Sequence, residues 1–106
     1  MTLYHFVAAS ERFLTEEEPL EEVLRERRRN YGENGKEIDF WLVRQPAFLL
    51  APQLAELNQR IPLPAAAVVS SDPSFITFLK LRLEYVVTGQ FEAPSAEIPE
   101  PLASQL

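Results

Sequence analysis

Short apolar runs alternate along this chain with longer segments in which apolar residues recur every three or four positions. The short runs are residues 3–9 (LYHFVAA), 39–44 (DFWLVR), 65–69 (AAAVV) and 86–91 (VVTGQF). Their lengths and compositions are typical of β-strands. The small, unbroken run at 65–69 indicates a strand buried on both faces. Gly89 interrupts the last run and predicts a break there.

The longer segments predict three helices. The first begins at Pro19, which suits the first helical position, and ends near Gly32. The second is short and covers residues 51–61. The third begins at a cap formed by Ser71 or Asp72 and continues to Tyr85. The apolar positions that share a face are Leu20, Val23, Leu24 and Tyr31 in the first helix, and Leu54, Leu57 and Ile61 in the second.

The order strand, helix, strand, helix, strand, helix, strand predicts a single domain with one small sheet covered by helices. A strictly parallel, doubly wound sheet is disfavoured, because no glycine-rich phosphate loop follows any strand and the chain has only three glycines. Residues 1–92 form the predicted domain. Residues 93–106 are rich in proline and acidic, so we expect an extended or disordered tail rather than packed structure.

Composition and charge narrow the function classes. The 106 residues carry a net charge of −6 and include 46% hydrophobic residues and no cysteine. The absence of cysteine excludes disulfides, Cys-ligated clusters and a thiolate nucleophile. The negative charge argues against nucleic-acid binding, which requires a basic footprint. The first residues resemble neither a signal peptide nor a transit peptide, and no apolar run is long enough to cross a membrane.

Arg82 is the residue that fits its predicted surroundings least well. At about 100° per residue it falls between Phe78 and Phe75, on the apolar face of the third helix. A lone guanidinium cannot be buried there without a partner. Either it extends past the aromatic rings to solvent or pairs with a carboxylate of its own fold, for which Asp39 is the natural candidate. Or the face is partly open, and arginine among aromatic residues forms a protein-binding hot spot.

The second strand raises a related question, because it carries an aromatic residue on each face. Alternation places Asp39, Trp41 and Val43 on one side and the side chains of Phe40, Leu42 and Arg44 on the other. If either aromatic ring faces outward, it is a candidate contact residue.

Candidate catalytic chemistry is sparse. His5 is the only histidine and lies within the first strand, where we expect a half-buried structural residue. No nucleophile-elbow pattern accompanies it. The run Glu16–Glu18 with Glu21 and Glu22 precedes a group of arginines, an order that complements the helix dipole. It is therefore interpreted as a solvated helix face rather than a metal site or an acid–base pair. We predict no enzyme activity, no metal and no cofactor.

Several long stretches resemble one family: PLEEVLRERRRNY, KEIDFWLVRQPAFL, PAAAVVSSDPSFITFLKLRLEYVVTG and FEAPSAEIPEPLAS. The family is the small accessory protein of the Mg-protoporphyrin IX monomethyl ester oxidative cyclase of oxygenic phototrophs. The resemblance implies an α+β domain with a mainly antiparallel sheet of about four strands and about three flanking helices. It also implies a non-catalytic role in chlorophyll biosynthesis, in which the protein binds the di-iron catalytic subunit of the cyclase.

The same resemblance implies a partner-binding surface that includes Asp39, Phe40 and Arg82. It further implies a cytoplasmic or plastid-stromal protein that reaches the thylakoid membrane through its partner. An alternative function is a tetrapyrrole carrier, in which aromatic rings and an arginine hold the substrate's macrocycle and propionate.

Overall fold

The computed structural model describes residues 1–106 and contains four strands and three α-helices. The strands are β1 (Thr2–Ser10), β2 (Phe40–Arg44), β3 (Ala65–Ser70) and β4 (Val87–Ala93), and the helices are α1 (Leu20–Glu33), α2 (Ala55–Gln59) and α3 (Pro73–Leu83). Residues 13–17 form a π-helical turn that buries Leu14. The segment before α2 consists of two 3₁₀ turns at 47–50 and 52–54.

The four strands form one sheet in the order β2–β3–β1–β4, and every neighbouring pair is antiparallel. The predicted α+β class with an antiparallel sheet of four strands is confirmed. β3 lies inside the sheet, as its run of small apolar residues indicates, and all six of its residues are buried. Its odd and even positions face different cores, because successive side chains in a strand point to opposite faces.

Each face of the sheet carries its own hydrophobic core. On one face, α1 and α3 contribute Leu20, Leu24, Tyr31, Phe75 and Leu79, and these pack against Phe40 of β2. On the other face, residues 49–61 and Ile98 share a core with Phe6, Phe48 and Phe91. Covering both faces accounts for the two aromatic residues of β2, because Phe40 lies in the first core and Trp41 against the second.

β4 is continuous through Gly89, so the predicted break there is wrong. Gly89 pairs with Phe6 in the neighbouring strand, and the ring of Phe6 turns across the glycine. A Cβ at position 89 would lie 2.6 Å from Cζ of Phe6. Glycine is therefore required for close approach of the aromatic ring, and not for a bend of the chain.

The C-terminal segment packs onto the domain, which corrects the expectation of an unpacked tail at 93–106. Ile98 is 2% exposed and belongs to the second core. The backbone N–H of Ala47 donates to the carbonyl of Ala103, and that of Gln105 donates to the carbonyl of Gln45. Ile98 supplies the apolar anchor that the proline-rich composition concealed.

The ends of α3 are both defined by local contacts. The Asp72 carboxylate accepts the N–H of Ser74 at 2.9 Å, which confirms Asp72 as the cap, and Pro73 follows it. The helix ends at Leu83, two residues earlier than predicted, because Glu84 adopts φ 60° and ψ −54°. There the N–H of Tyr85 donates to the carbonyl of Leu83, which forms a strained γ-turn.

Candidate partner-binding surface

Arg82 lies on an open, largely apolar surface of α3. Its neighbours Phe78, Leu81 and Tyr85 are 51%, 75% and 81% exposed, and Arg82 is itself exposed. The ion pairs of the protein involve Arg27, Arg29 and Arg44 and leave Arg82 without a carboxylate. We call Phe78, Leu81 and Arg82 of α3, together with Tyr85 just beyond its end, the α3 stripe. This geometry contradicts a pairing of Arg82 with a carboxylate of its own fold, and it agrees both with a side chain that extends to solvent and with a partly open apolar face.

Phe40 has a different environment, because it is 0% exposed. Its ring makes edge contacts with Tyr31 at 5.2 Å and Phe75 at 5.5 Å between centroids. Phe40 lies on the face of β2 opposite Trp41, as the alternation predicts, and the structure shows that α1 and α3 cover this face. The ring therefore has no surface to offer another protein. Any effect of Phe40 on binding must pass through the residues that cover it.

Asp39 does not organise Arg82, so that expected pairing is wrong. β2 begins at Phe40, and Asp39 lies just before it, where strand alternation no longer applies. Its side chain turns towards α1 and accepts the hydroxyl proton of Tyr31 at 2.9 Å, instead of lying on the face of Trp41. Its backbone carbonyl accepts the Ser70 hydroxyl at 2.8 Å and the N–H of Ser71 at 3.1 Å.

The arginine that lies among aromatic rings is Arg27 of α1. Its guanidinium carbon is 3.8 Å from the ring centroid of Phe75, and Nη2 donates to the Tyr31 hydroxyl at 2.8 Å. The same nitrogen pairs with Asp72 at 3.3 Å. The sequence held a signal for this residue, since Arg27 falls between Val23 and Leu20 on the helical wheel. The surrounding group of arginines concealed it.

A groove of about 530 Å³ separates α1 from α3 next to the α3 stripe. Phe75 and Phe78 line one side, and Val23, Arg27 and Tyr31 line the other. Phe78 belongs both to the groove and to the stripe, so the two form a continuous surface. This surface offers a partner apolar side chains, the free guanidinium of Arg82 and the bonded guanidinium of Arg27.

The remaining titratable groups are distributed singly or on solvated faces. His5 is half-buried, as expected, and lies between α3 and β4. Glu16, Glu17 and Glu18 are exposed. No group of three His, Asp or Glu residues is arranged to hold a metal ion. In α1, hydrogen bonding and charge from the exposed Arg29 lower the pKa of the Glu26 carboxyl below its ordinary value. None of the helices combines the length and apolar character needed to cross a bilayer.

Comparison with known proteins identifies the family. A family model described as Ycf54 protein matches residues 2–93. The Ycf54-like protein of Synechocystis is 62% identical over 104 residues, which cover 98% of this chain and 78% of the relative. The chloroplastic protein YCF54 of Arabidopsis thaliana is 46% identical over 104 residues, which cover 97% of this chain and 47% of the relative.

Solved structures agree with this result. The crystal structure of a Nostoc protein superposes with a TM-score of 0.96 at 62% identity, covering 99% of this chain and 97% of that chain. The Ycf54 protein of Synechocystis superposes with a TM-score of 0.96 at 61% identity, covering 99% and 98%. The chain therefore belongs to the Ycf54 family, which has members in cyanobacteria, red algae and the chloroplast of Arabidopsis.

Proposed function

We propose that this protein is a non-catalytic accessory factor that binds the di-iron catalytic subunit of the Mg-protoporphyrin IX monomethyl ester cyclase. In this role it supports formation of protochlorophyllide during chlorophyll biosynthesis. Membership of the Ycf54 family and the resemblance noted above support the pathway. The observation that carries the binding role is the α3 stripe, where three large apolar side chains surround an arginine that has no carboxylate partner.

The chemistry of the stripe favours a protein partner. Tyrosine and arginine are enriched among the residues that dominate binding energy at protein interfaces. A guanidinium without an internal partner can form a bidentate bond with a carboxylate supplied from outside, and the surrounding apolar side chains exclude water from that bond. We therefore expect the partner surface to present an apolar patch that contains an Asp or Glu opposite Arg82.

The proposed location follows from the proposed partner. We infer a protein of the cyanobacterial cytoplasm or plastid stroma that associates peripherally with the thylakoid membrane by binding the catalytic subunit. A relative in Arabidopsis is named as chloroplastic, which agrees with the plastid location.

The direct test measures the affinity of the detergent-solubilised catalytic subunit for the protein and its variants. Arg82→Ala and Tyr85→Ala should each weaken binding by about tenfold or more, because removal of a central interface residue costs about 2 kcal/mol. Arg25→Ala is the matched control, since Arg25 is exposed on α1 and takes part in no ion pair. Wild-type affinity in Arg82→Ala, Leu81→Ala and Tyr85→Ala would exclude the stripe as the binding surface.

A tetrapyrrole carrier is the second candidate, and the groove between α1 and α3 is the observation that favours it. Its volume and its aromatic wall suit part of a flat macrocycle. Its cation is Arg27, however, and that guanidinium is already bonded to Asp72. Titration with Mg-protoporphyrin IX monomethyl ester, followed by the Soret band, tests the idea. A saturable shift that Phe78→Ala abolishes would support a carrier, and no saturable shift would exclude one.

A further inference from the structure

Arg27 connects α1 to the first turn of α3. One guanidinium nitrogen, Nη2, reaches both the Tyr31 hydroxyl in its own helix and the Asp72 carboxylate at the start of α3. The flat guanidinium also lies over the ring of Phe75, with 3.8 Å between Cζ and the ring centroid. The side chain is 26% exposed, so these contacts are only partly screened by water.

Asp72 bonds both to Arg27 and to the first turn of α3, so it connects the guanidinium to the start of that helix. Its Oδ1 accepts the N–H of Ser74 and so caps the helix, while Oδ2 accepts from Arg27. One carboxylate thus fixes the helix start to the guanidinium. Phe75, beneath the guanidinium, stacks on Phe78 with 6.4 Å between the ring centroids and 16° between the planes. Phe78 is the first residue of the α3 stripe, one turn beyond the contacts of Arg27.

The Tyr31 hydroxyl connects Arg27 to Asp39 through two hydrogen bonds. A phenolic hydroxyl both donates and accepts. Here it donates to Asp39 at 2.9 Å and accepts from Arg27 at 2.8 Å. The Asp39 carboxylate therefore orients the hydroxyl so that a lone pair faces the guanidinium. Phe40 supports the same group from below, since its ring contacts those of both Tyr31 and Phe75.

The orientation of Arg27 leaves one of its donors without a partner. Its Nε–H is buried and has no hydrogen-bond acceptor. An unpaired buried donor is unfavourable, and native structures hold few of them. The guanidinium is instead oriented by stacking on Phe75 and by the two bonds of Nη2, which are the contacts that join the two helices.

We propose that Arg27 is a positioning residue for the partner-binding surface. It holds α3 against α1, so that Asp39 and Phe40 influence binding through Tyr31, Arg27 and Phe75 without a direct contact with the partner. This inference rests on the proposed function for its binding consequence. The connection from Asp39 to Arg27 is a property of the isolated domain and is tested there first.

The first experiment is NMR spectroscopy of the isolated protein. The ring current of Phe75 should shift the Arg27 side-chain protons upfield. Tyr31→Phe and Asp39→Asn should each reduce that shift and move the amide resonances of Ser74, Phe75 and Phe78. Arg25→Gln changes an exposed residue of α1 that takes part in no ion pair, and it should leave all of these resonances in place. Unchanged Arg27 and α3 resonances in both Tyr31→Phe and Asp39→Asn would overturn the inference.

The second experiment compares affinity for the solubilised catalytic subunit with stability towards urea. Arg27→Met should weaken binding by about tenfold, within the range typical of residues that act on a site through others. Ile98→Val provides a control for lost stability, because it removes a methyl group from the opposite core. Arg25→Met controls for lost charge. Both controls should bind within about twofold of wild type. Arg27→Lys keeps the positive charge but replaces the planar guanidinium by an ammonium, so it should bind as weakly as Arg27→Met.

The outcomes separate the inference from the proposed function. Full affinity in Arg27→Met, together with weak binding by Arg82→Ala, overturns the positioning role and leaves the α3 stripe as the binding surface. Full affinity in Arg82→Ala and in the other stripe variants overturns the proposed binding surface. In that case the NMR comparison still tests the connection between Asp39 and Arg27 in the isolated domain. Weak binding by Arg27→Met at the stability of Ile98→Val supports the inference.

Discussion

Arg27 of α1 and Arg82 of α3 stand at corresponding positions on two helices that cover the same face of the sheet. Each falls on the helical wheel between two apolar residues of its own helix. Arg27 is joined to Tyr31, Phe75 and Asp72, and about a quarter of its side chain is exposed. Arg82 is exposed and forms no ion pair. The same sequence pattern thus gives one arginine that is bonded inside the domain, Arg27, and one that is exposed without an ion-pair partner, Arg82.

The difference arises from what lies opposite each helix. α1 faces the start of α3, which supplies both an aromatic ring and the capping carboxylate. Arg82 lies beyond that first turn of α3, and its neighbours Phe78, Leu81 and Tyr85 remain exposed. An arginine predicted on an apolar face can therefore be bonded inside the fold or exposed without a partner. The packing of the helices shows which of the two occurs. The following predictions test this contrast, beginning with the largest expected effect.

Phe40→Ala should lower the free energy of unfolding by about 3–5 kcal/mol, because it empties a fully enclosed aromatic site beneath both helices. Urea denaturation of the isolated domain measures the effect. Phe78→Ala, which truncates a half-exposed ring of the same helix pair, should cost less than about 1 kcal/mol. A small loss in Phe40→Ala would show that the ring is not enclosed, and would restore it as a direct contact residue.

Arg27→Met should lower the free energy of unfolding by about 1–2 kcal/mol. The stacking on Phe75 contributes about 0.5–2 kcal/mol and the partly exposed pair with Asp72 contributes about 0.2–1 kcal/mol. Relief of the unpaired Nε–H offsets part of this loss. Urea denaturation at low and high salt separates the terms, because only the ion pair weakens as salt rises. No loss at either salt concentration would contradict the contacts assigned to Arg27.

Arg82→Ala should change the free energy of unfolding by less than about 0.5 kcal/mol, the value typical of an exposed residue with no internal partner. The same urea series measures it beside Arg27→Met. If Arg82 is exposed and serves binding, Arg82→Ala should reduce the affinity for the partner and leave the stability of the domain unchanged. A loss of stability equal to that of Arg27→Met would place Arg82 among the internal contacts and remove the contrast between the two arginines.

The smallest effect concerns Glu26, whose pKa the neighbouring Arg29 lowers by hydrogen bonding and by charge. Because the folded-state pKa lies below the ordinary value of 4.5, the pair stabilises the protein above that pH and loses its contribution as the pH falls through the folded-state pKa. Both groups are fully exposed, so stability should hardly change. NMR titration of Glu26 in Arg29→Ala should show its pKa rising towards the ordinary value, and an unchanged pKa would contradict the pair.

Much of the architecture was predictable, because local patterns and burial agree along most of the chain. Residues 65–69 indicate burial on both faces, and β3 is the strand that the two cores enclose. Asp72 and Pro73 mark the start of α3. Errors occurred where a distant residue decides the local structure. Phe6 explains Gly89 without a break in β4, and the second core holds Ile98 in a segment whose composition resembles disorder.

The candidate site was less predictable. The direction of Arg82 follows from helical periodicity, but its freedom from any carboxylate depends on where the other elements lie. The burial of Phe40 requires knowledge that α1 and α3 share one face of the sheet. Arg27 had the same wheel position as Arg82, yet the adjacent Arg25, Arg28 and Arg29 made the whole run resemble a solvated surface. The binding roles of Asp39, Phe40 and Arg82 stay predictions.

Local patterns were enough to locate the four strands and the three helices, to identify the apolar faces of these elements, and to place two arginines on such faces. These properties depend on the periodicity of neighbouring residues and on their solvation. The packing of the helices brings Arg27 against Phe75 and Asp72 and leaves Arg82 exposed without a carboxylate. Those contacts join residues 45 or more positions apart in the chain, and a charge is satisfied by whatever lies within a few ångströms in space.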